Sequence, residues 1–526
     1  MSKVLICDPM ATEGLEILKK STDVVVATGL TESELILKVV DVDAIVVRSE
    51  TKITAPILKA ALKLAIVGRA GVGVDNIDVT AATNVGVVVV NSPEGNTVAA
   101  AEHTFALLLA MARNIPQANQ ALREGRWDRK KFTGIEVYQK TLGILGFGKI
   151  GRRIATYAQA FGMKVVAYDP FVSAEVMKGL QVEAADLDTI YRTADFITMH
   201  LPKTNETKNM LGKEAFAKMK PGCRIINCAR GGVINELDLE AALKENKIAG
   251  AAIDVFEKEP NTDSPLIALP NAIVTPHLGA STAEAQVNVA VDVANDIVRV
   301  LQGLQALNAV NIPSLRPEIV EPVAPFLALA EKLGAILGQM EQQAATKVEI
   351  SYHGELATKN VAPLTLAFLM GFLKSHVGDR VNFVNAALVA KERGLTVSET
   401  RNEGASDYAN LISAKSLGQS FKHTVAGTKS RSFGDTLVNV DGFKLNAHAD
   451  GILIVVPNRD KPGMVAKIAS YLGQRNINIA GMTVGREAIG GEARMILNVD
   501  DPVSKEDLEA IAGMADILGV PKQILL

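Results

Sequence analysis

The chain has 526 residues, enough for about three or four domains of ordinary size. Hydrophobic residues make up 48% of it, and 55 Lys and Arg against 58 Asp and Glu leave a net charge of −3, which argues against broad electrostatic attraction to nucleic acid or to acidic membranes. Its three cysteines, Cys7, Cys223 and Cys228, have no close pairing, which disfavours a disulfide framework and predicts a reducing, cytoplasmic compartment.

The first segment, to about Asn91, alternates short β-rich runs with helical ones, which predicts a parallel sheet with helices on both faces. The predicted strands are Val4–Cys7, Val24–Val26, Ala44–Val47, Leu64–Val67 and Val87–Val90, and the predicted helices are Thr12–Lys20, Thr31–Val40 and Ala55–Ala61. Because a strand-like run begins at Lys3, we expect no signal or transit peptide. The apolar stretches are too short to predict a transmembrane helix.

Two loops of this segment lie just past predicted strand ends, where ligands bind in parallel sheets. One is 48–52 (RSETK), and the other is 68–78 (GRAGVGVDNID), whose glycines could expose backbone amides to an anion. On the residues alone, ligand binding is no better an interpretation than a solvated loop for 48–52 and a plain turn for 68–78.

Two long helices are predicted next, Thr97–Arg113 and one from Ser281 to Gly303 that opens with a Ser281/Glu284 capping box. Six strands are predicted between them, at 141–146, 165–168, 196–199, 224–228, 250–254 and 273–275. A doubly wound domain is therefore predicted to be inserted into the first one, with the two helices as hinges and a cleft between the domains. The only tryptophan, Trp127, is interpreted as a packing residue.

The stretch from Thr141 to Asp169 has a strand, a GxGxxG spacing, a helix and a second strand. Gly146 permits a tight turn, Gly148 lets the backbone approach a pyrophosphate, and Gly151 lets the helix pack on the strand. The helix N-terminus attracts that pyrophosphate, and Asp169 is placed to bind an adenosine ribose. Since no arginine follows Asp169, the motif predicts NAD rather than NADP.

Three other strand ends of the inserted domain carry reactive side chains. Arg230 follows one strand, Asp254 ends the next with Glu259 shortly after it, and His277 follows the last. Parallel strands place all of these at one sheet edge. His277 suits the role of the base that takes a hydroxyl proton, and Glu259 that of the carboxylate that orients it. Arg230 suits a substrate carboxylate. Because a nicotinamide accepts hydride without help from a metal, and HExxH or paired CxxC clusters are missing, no metal site is predicted.

These motifs resemble the D-isomer-specific 2-hydroxyacid dehydrogenases over about residues 3–311. The resemblance rests on GRAGVGVDNID (68–78), the GxGxxG stretch (146–151), NCARGG (227–232), DVFEKEP (254–260) and PHLGA (276–280). It implies a Rossmann-type NAD domain inserted in a flavodoxin-like α/β substrate domain, with His277 as acid/base, Glu259 as its partner and Arg230 as substrate anchor. The residues implied around the cofactor are Gly146, Gly148, Lys149, Ile150, Gly151, Asp169, Leu201, Cys228, Ala229, Asp254, His277 and Gly279.

The same resemblance implies that Arg48, Ser49 and Asn96 hold the substrate with the backbone of Val72 and Gly73, which favours a ligand role for both loops. It is closest to the long members that oxidise 3-phospho-D-glycerate to 3-phosphohydroxypyruvate. One alternative is a member acting on glyoxylate, hydroxypyruvate or 2-oxoglutarate. Another is an NAD(H)-sensing binding protein, as some transcriptional corepressors are.

The last third begins with a proline-rich linker, Pro313–Pro325, and a helix, Phe326–Met340. The mixed α/β segment that follows resembles the intervening, allosteric substrate-binding domain of the long members. The final β-α-β-β-α-β pattern resembles a ferredoxin-like ACT domain, with Pro462 at the first position of its first helix. The predicted domains are 1–97 with 282–312, 98–281, 313–449 and 450–526.

The ACT resemblance implies an amino-acid effector, L-serine, at Asn458, Asp460 and Asn478. A purely oligomerising module is the alternative. The resemblance also implies a homo-oligomer, a dimer or a tetramer.

Overall fold

A computed structural model of the chain describes residues 1–312, 317–341, 345–378, 381–404, 407–418, 422–430 and 432–526. The first four residues of the predicted linker, 313–316, and with them the predicted start of the third domain, lie outside the described residues. Within the described ranges, no helix combines the length and the apolar character needed to cross a membrane.

The N-terminal segment forms a five-stranded parallel sheet in the order β2-β1-β3-β4-β5. Its elements are β1 (Lys3–Ile6), α1 (Thr12–Ser21), β2 (Asp23–Val26), α2 (Glu32–Lys38), β3 (Ala44–Val47), α3 (Ala55–Ala60), β4 (Ile66–Arg69), α4 (Val79–Asn84) and β5 (Val88–Val90). This order confirms the flavodoxin-like prediction. The helix α4 was not predicted from the sequence; it is a short helix whose Asp78 N-cap accepts from the Ala81 amide.

The middle of the chain forms a seven-stranded parallel sheet in the order β12-β11-β10-β9-β6-β7-β8, which confirms the Rossmann-type prediction. Its elements are α5 (Thr97–Ala112), α6 (Ile115–Arg123), β6 (Thr141–Leu145), α7 (Lys149–Ala160), β7 (Lys164–Tyr168), α8 (Ala174–Gly179), β8 (Glu183–Ala184), α9 (Leu187–Thr193), β9 (Phe196–Met199), α10 (Lys213–Lys218), β10 (Arg224–Asn227), α11 (Glu236–Lys244), β11 (Gly250–Ile253), β12 (Ala272–Val274) and α12 (Ala283–Leu301).

The helix α12 returns the chain to the first sheet. A Cβ on Gly68 in β4 would lie 2.4 Å from the Val293 side chain of α12, so this strand and this helix are in close contact. The predicted Ser281/Glu284 capping box is wrong: the N-cap is Thr282, whose hydroxyl accepts from the Ala285 amide at 3.1 Å. The packing interpretation of Trp127 is also wrong for the single chain, because this residue is 81% exposed.

The third domain packs helices on one face of a six-stranded sheet of order β14-β13-β15-β16-β17-β18. Its elements are α13 (Pro317–Val320), α14 (Leu327–Met340), β13 (Lys347–Gly354), α15 (Ala362–Val377), α16 (Ala386–Glu392), β14 (Thr396–Asn402), β15 (Asn410–Leu417), β16 (Lys422–Ser430), β17 (Gly434–Val440) and β18 (Phe443–His448). A Cβ on Gly334 would lie 2.0 Å from the Phe368 carbonyl, so α14 and α15 approach closely only because this residue is glycine.

The last domain has a four-stranded antiparallel sheet in the order β20-β21-β19-β22, the ferredoxin-like arrangement that the sequence predicted. Its elements are β19 (Ile452–Arg459), α17 (Met464–Gln474), β20 (Ile479–Arg486), β21 (Glu492–Val499), α18 (Lys505–Ala512) and β22 (Lys522–Leu525). Pro462 does not occupy the first helical position as predicted, because α17 begins at Met464 with Gly463 as its N-cap. The Gln339 side chain of α14 exchanges two hydrogen bonds with the Leu525 backbone, which joins this domain to the third.

Candidate active site

Two strand ends of the Rossmann-type sheet bring Glu259 and His277 into direct contact. The Nδ1 of His277 lies 2.7 Å from Oε2 of Glu259, and the Phe256 amide donates to the other carboxylate oxygen at 2.8 Å. The hydrogen bond to Glu259 raises the pKa of His277, although burial opposes this. Burial alone would raise the pKa of Glu259, but the hydrogen bonds from His277 and Phe256 outweigh it and the pKa is lowered. The arrangement suits an imidazole that takes up and releases a proton.

Asp254, directly after β11, holds the turn that carries the imidazole. Its fully buried carboxylate accepts from the Thr275 hydroxyl at 2.6 Å, the Leu278 amide at 2.7 Å and the Gly279 amide at 2.9 Å. Its carbonyl accepts from the amide of His277, which has a positive φ of 56°. Burial would raise the pKa of Asp254, but the donors around the carboxylate outweigh it. Contact of Asp254 and Gly279 with the cofactor stays a prediction.

Arg230 follows β10 and reaches across to the first domain. Its Nε lies 3.2 Å from Oδ2 of Asp75, and its Nη1 donates to the Ala229 carbonyl at 2.8 Å. A Cβ on Gly73 would lie 2.2 Å from Nη2, so the guanidinium rests against the glycine backbone of the 68–78 loop. The charge of Arg230 also acts on His277, since it opposes the increase in that pKa. Arg230 therefore lies between the imidazole and the 68–78 loop.

Arg69, the last residue of β4, is a candidate that sequence reasoning missed. Burial lowers its pKa to about 10, the charges of Arg230 and Arg48 add to this, and Asp75 opposes it. Its Nε is buried and has no hydrogen-bond partner among the described residues. Three guanidinium groups thus act on one region of the cleft, which favours an anionic ligand there. The available signal was its place at a strand end, the criterion that singled out Arg230.

The loop after β3 is fixed by two residues that were also missed. Buried Asp8 accepts from the Arg48 amide at 2.5 Å and from the Thr51 amide at 3.2 Å. The Asn76 side chain donates to the carbonyls of Arg48 and Thr51 at 2.8 and 2.6 Å. The Arg48 guanidinium donates only to the Pro9 carbonyl, at 3.3 Å, among the described residues. Most of its five donors therefore stay available to a ligand.

The other predicted substrate residues differ in their surroundings. Ser49 is exposed on the loop after β3. Asn96 precedes α5, and its Oδ1 is buried without a hydrogen-bond partner among the described residues. A buried acceptor without a donor is costly, so a ligand hydroxyl would stabilise it. The Val72 carbonyl accepts from the Asn91 side chain, and contact of the Val72 and Gly73 backbone with the substrate stays a prediction.

The GxGxxG turn has the shape that a pyrophosphate requires. Gly146 has a φ of +93°, and a Cβ there would lie 2.5 Å from the His200 carbonyl. A Cβ on Gly151 would lie 2.3 Å from the Gly146 carbonyl, whereas one on Gly148 would meet no described atom within 4 Å. The helix α7 begins at Lys149 without a side-chain cap, so its first amides are free to bind an anion. The turn therefore fits a dinucleotide.

Asp169 follows β7 beside the same turn. Its two carboxylate oxygens accept from the amides of Phe147 and Phe171 at 2.8 and 2.9 Å, which orients the side chain and leaves lone pairs for a ribose. The Leu201 side chain also reaches the turn, since it would lie 2.9 Å from a Cβ on Gly146. Ile150 in the first turn of α7 is half-buried. These residues fit the adenosine half of NAD.

Cys228 and Ala229 follow β10, close to Asp254. Burial raises the pKa of the Cys228 thiol to about 12, so the thiol stays protonated at neutral pH. Its sulfur, a carboxylate oxygen of Asp254 and a ring nitrogen of His103 lie within 4.8 Å of one another. The Asp254 carboxylate in this cluster already accepts hydrogen bonds from Thr275, Leu278 and Gly279. The prediction that the reaction needs no metal stays a prediction.

Two of the three predicted effector residues in the last domain, Asp460 and Asn478, already have hydrogen-bond partners in the protein. Asp460 accepts from Nη1 of Arg486 at 2.9 Å, and this hydrogen bond lowers its pKa. Asn478 donates to Asp500 at 2.7 Å. Asn458 is buried, and its Oδ1 has no partner among the described residues. An amino acid that used Asp460 would therefore compete with Arg486.

Three family models match the chain: the NAD binding domain of the D-isomer specific 2-hydroxyacid dehydrogenases at 105–279, the D-3-phosphoglycerate dehydrogenase intervening domain at 322–441, and the ACT domain at 452–515. A D-3-phosphoglycerate dehydrogenase of Synechocystis is 48% identical over 98% of this chain and 94% of its own length. One of Archaeoglobus fulgidus is 44% identical over 98% of both chains.

Among solved structures, the D-lactate dehydrogenase of Aquifex aeolicus, in complex with NAD and lactic acid, superposes with a TM-score of 0.52 at 27% identity. The superposition covers 57% of this chain and 96% of that one. The protein is accordingly an NAD-dependent oxidoreductase. The chain belongs to the D-3-phosphoglycerate dehydrogenase family of the D-isomer specific 2-hydroxyacid dehydrogenases.

Proposed function

We propose that the enzyme oxidises 3-phospho-D-glycerate to 3-phosphohydroxypyruvate with NAD, the first step of the phosphorylated route to L-serine. The observation that carries this proposal is the group of three guanidinium side chains, Arg48, Arg69 and Arg230, on the His277 side of the cleft. A substrate with a carboxylate at one end and a phosphate at the other supplies the negative charge that this group needs. Relatives that carry the name of this activity align over nearly the whole chain.

The proposed roles follow from the geometry of the pair. Glu259 accepts from Nδ1 of His277, so Nε2 is left unprotonated to take the proton of the substrate hydroxyl. NAD, when bound, accepts the hydride from the same carbon. Arg230 holds the substrate carboxylate and thereby sets the distance between the hydroxyl and His277. Arg48 and Arg69 bind the phosphate, and Asn96 accepts from a hydroxyl.

We propose further that L-serine binds the ACT domain at Asn458, Asp460 and Asn478, and that the enzyme works in the cytoplasm. The domain boundaries 97/98, 281/282, 312/313 and 449/450 are part of the same proposal. The family models support the division, because each falls within one of these segments.

The direct test of the activity is the initial rate of NADH formation from 3-phosphoglycerate, with and without serine. We expect turnover that serine lowers, and we expect His277→Ala to lose about 100- to 10,000-fold in kcat because no base remains. This variant should still bind NADH, since His277 does not form the GxGxxG turn. Faster turnover of glyoxylate, hydroxypyruvate or 2-oxoglutarate would replace the substrate assignment. Tight NADH binding without any turnover would favour a sensor.

The pH profile tests the pairing of Glu259 with His277. Because the carboxylate raises the pKa of His277, Glu259→Gln should lower that pKa. Oxidation requires the neutral imidazole, so the acidic limb of kcat/KM should move to lower pH, by about one unit. Glu257→Gln, in the same loop, is the control and should leave the limb in place. An acidic limb unchanged in Glu259→Gln would contradict the assignment.

Arg48→Ala tests phosphate recognition. We expect KM for 3-phosphoglycerate to rise about tenfold or more, the size expected for one lost hydrogen bond to a charged group, while KM for a non-phosphorylated 2-hydroxy acid changes little. Lys59→Ala removes a positive charge from an exposed position of α3 and serves as the control. Equal increases in KM for both acids would refute the phosphate role.

We also propose a homo-oligomer, a dimer or a tetramer. The supporting observation is the apolar surface along and after α6, where Ile115, Leu122 and Trp127 are 53%, 57% and 81% exposed. Sedimentation velocity should give a species larger than the 55.9 kDa chain, and Trp127→Glu should shift it toward the monomer. Phe171→Glu replaces a 94% exposed aromatic elsewhere and should have no effect. A monomeric wild type at working concentration would end the proposal.

A further inference from the structure

His103 belongs to none of the predicted site residues, yet it contacts the support of the catalytic turn. It lies in the second turn of α5, the helix by which the chain passes from the first domain into the Rossmann-type domain. Its Nε2 lies 3.2 Å from Oδ1 of Asp254 and 3.4 Å from the hydroxyl of Thr275. The side chains of His103 and Asp254 are 20% and 0% exposed, so this contact is largely shielded from water.

The buried carboxylate of Asp254 needs several donors to remain ionised. Protein groups provide them: the hydroxyl of Thr275, the amides of Leu278 and Gly279, and the ring nitrogen of His103. Of these, His103 is the only one that comes from outside the sheet edge that carries the site, since it belongs to the hinge helix. Removing it would leave a buried charge with one donor fewer, which is costly in a water-excluded site.

We propose that His103 is a positioning residue for the reaction: it holds Asp254, and Asp254 holds the turn that sets His277 against Glu259. The inference rests on the proposed role of His277 as acid/base. The distances form a continuous path, from α5 through Oδ1 of Asp254 to the Leu278 amide and the adjacent imidazole. A movement of α5 relative to the Rossmann-type sheet would therefore change the position of the His277 side chain.

The hydrogen-bond pattern also explains why the turn needs this support. His277 is one of the non-glycine residues with positive φ, a conformation that L residues rarely adopt without being held by their surroundings. Two amides of the turn and the amide of His277 itself are bound by the side chain and the backbone of Asp254. A carboxylate that rotated or became protonated would release this turn.

Three variants test the proposal. His103→Leu keeps the bulk and removes the donor, whereas His103→Gln keeps an N–H at a similar reach. Glu102→Ala changes the neighbouring, exposed residue of α5 and serves as the control. The first readout is the rate at which diethyl pyrocarbonate modifies His277 in the protein without NAD or substrate, followed against pH by peptide mapping. The second is kcat/KM, with NADH affinity measured separately.

We expect the midpoint of His277 modification to move to lower pH in His103→Leu, because the imidazole is no longer held on Glu259. The value of kcat/KM should fall about tenfold in this variant, with NADH affinity unchanged. His103→Gln and Glu102→Ala should both behave as wild type. If His103→Leu does not fold, His103→Asn, whose shorter amide does not reach Asp254, replaces it.

A modification profile of His103→Leu identical to that of wild type would overturn the proposal, even if its melting temperature fell, because His103 would then serve stability alone. A defect shared equally by His103→Gln would also overturn it, since the retained donor would not matter. The modification arm uses neither NAD nor substrate. A failure of the proposed function would therefore appear separately, as a wild-type enzyme without turnover of 3-phosphoglycerate.

Discussion

The chain enters the Rossmann-type domain through α5 and leaves it through α12. These two connections fix how the two sheets are placed relative to each other. Because α12 packs back onto β4, the carboxyl ends of two parallel sheets face one cleft, the place where ligands bind in such sheets. The contacts across the cleft join Arg230 with Asp75 and Lys149 with Glu94. The Rossmann-type domain carries Arg230 and His277, whereas the first domain carries Arg48 and Arg69, so each domain supplies only part of the proposed site.

The carboxylates of this cleft are satisfied by protein groups more fully than its guanidinium groups are, and this difference favours an anionic ligand. The carboxylates of Asp254 and Glu259 are satisfied by protein donors and hold the imidazole in place. The guanidinium groups are less fully satisfied. Arg230 pairs with Asp75 and Arg48 donates to the Pro9 carbonyl, whereas Arg69 has a lowered pKa and, among the described residues, a buried Nε without a partner. In the proposed function, an anion bound by these groups would lie next to His277. The same contacts would then both bind and orient the substrate.

Much of the fold and part of the site could be predicted from the sequence, and the division has a physical reason. The GxGxxG turn is encoded by neighbouring residues whose glycine geometry is local, so the Rossmann-type sheet could be predicted. The short helix α4 and the Thr282 cap were not predicted, because several neighbouring residues can begin or cap a helix and the sequence pattern does not choose among them. Asp8, Asn76 and His103 were missed because their partners lie 25 or more positions away along the chain, so no short motif contains both partners.

The cofactor side and the proposed substrate side of the site therefore differ in how they tolerate amino-acid substitutions. The GxGxxG turn and Asp169 lie in one continuous stretch, so a substitution outside 141–169 leaves most contacts of this turn intact. The proposed substrate half is assembled from the loops after β3 and β4, from the residue before α5 and from the end of β10. Substitutions in the loops after β3 and β4 alter the charge of the cleft but leave the GxGxxG turn unchanged. Substrate preference can thus change without a change of cofactor, because these loops lie outside 141–169.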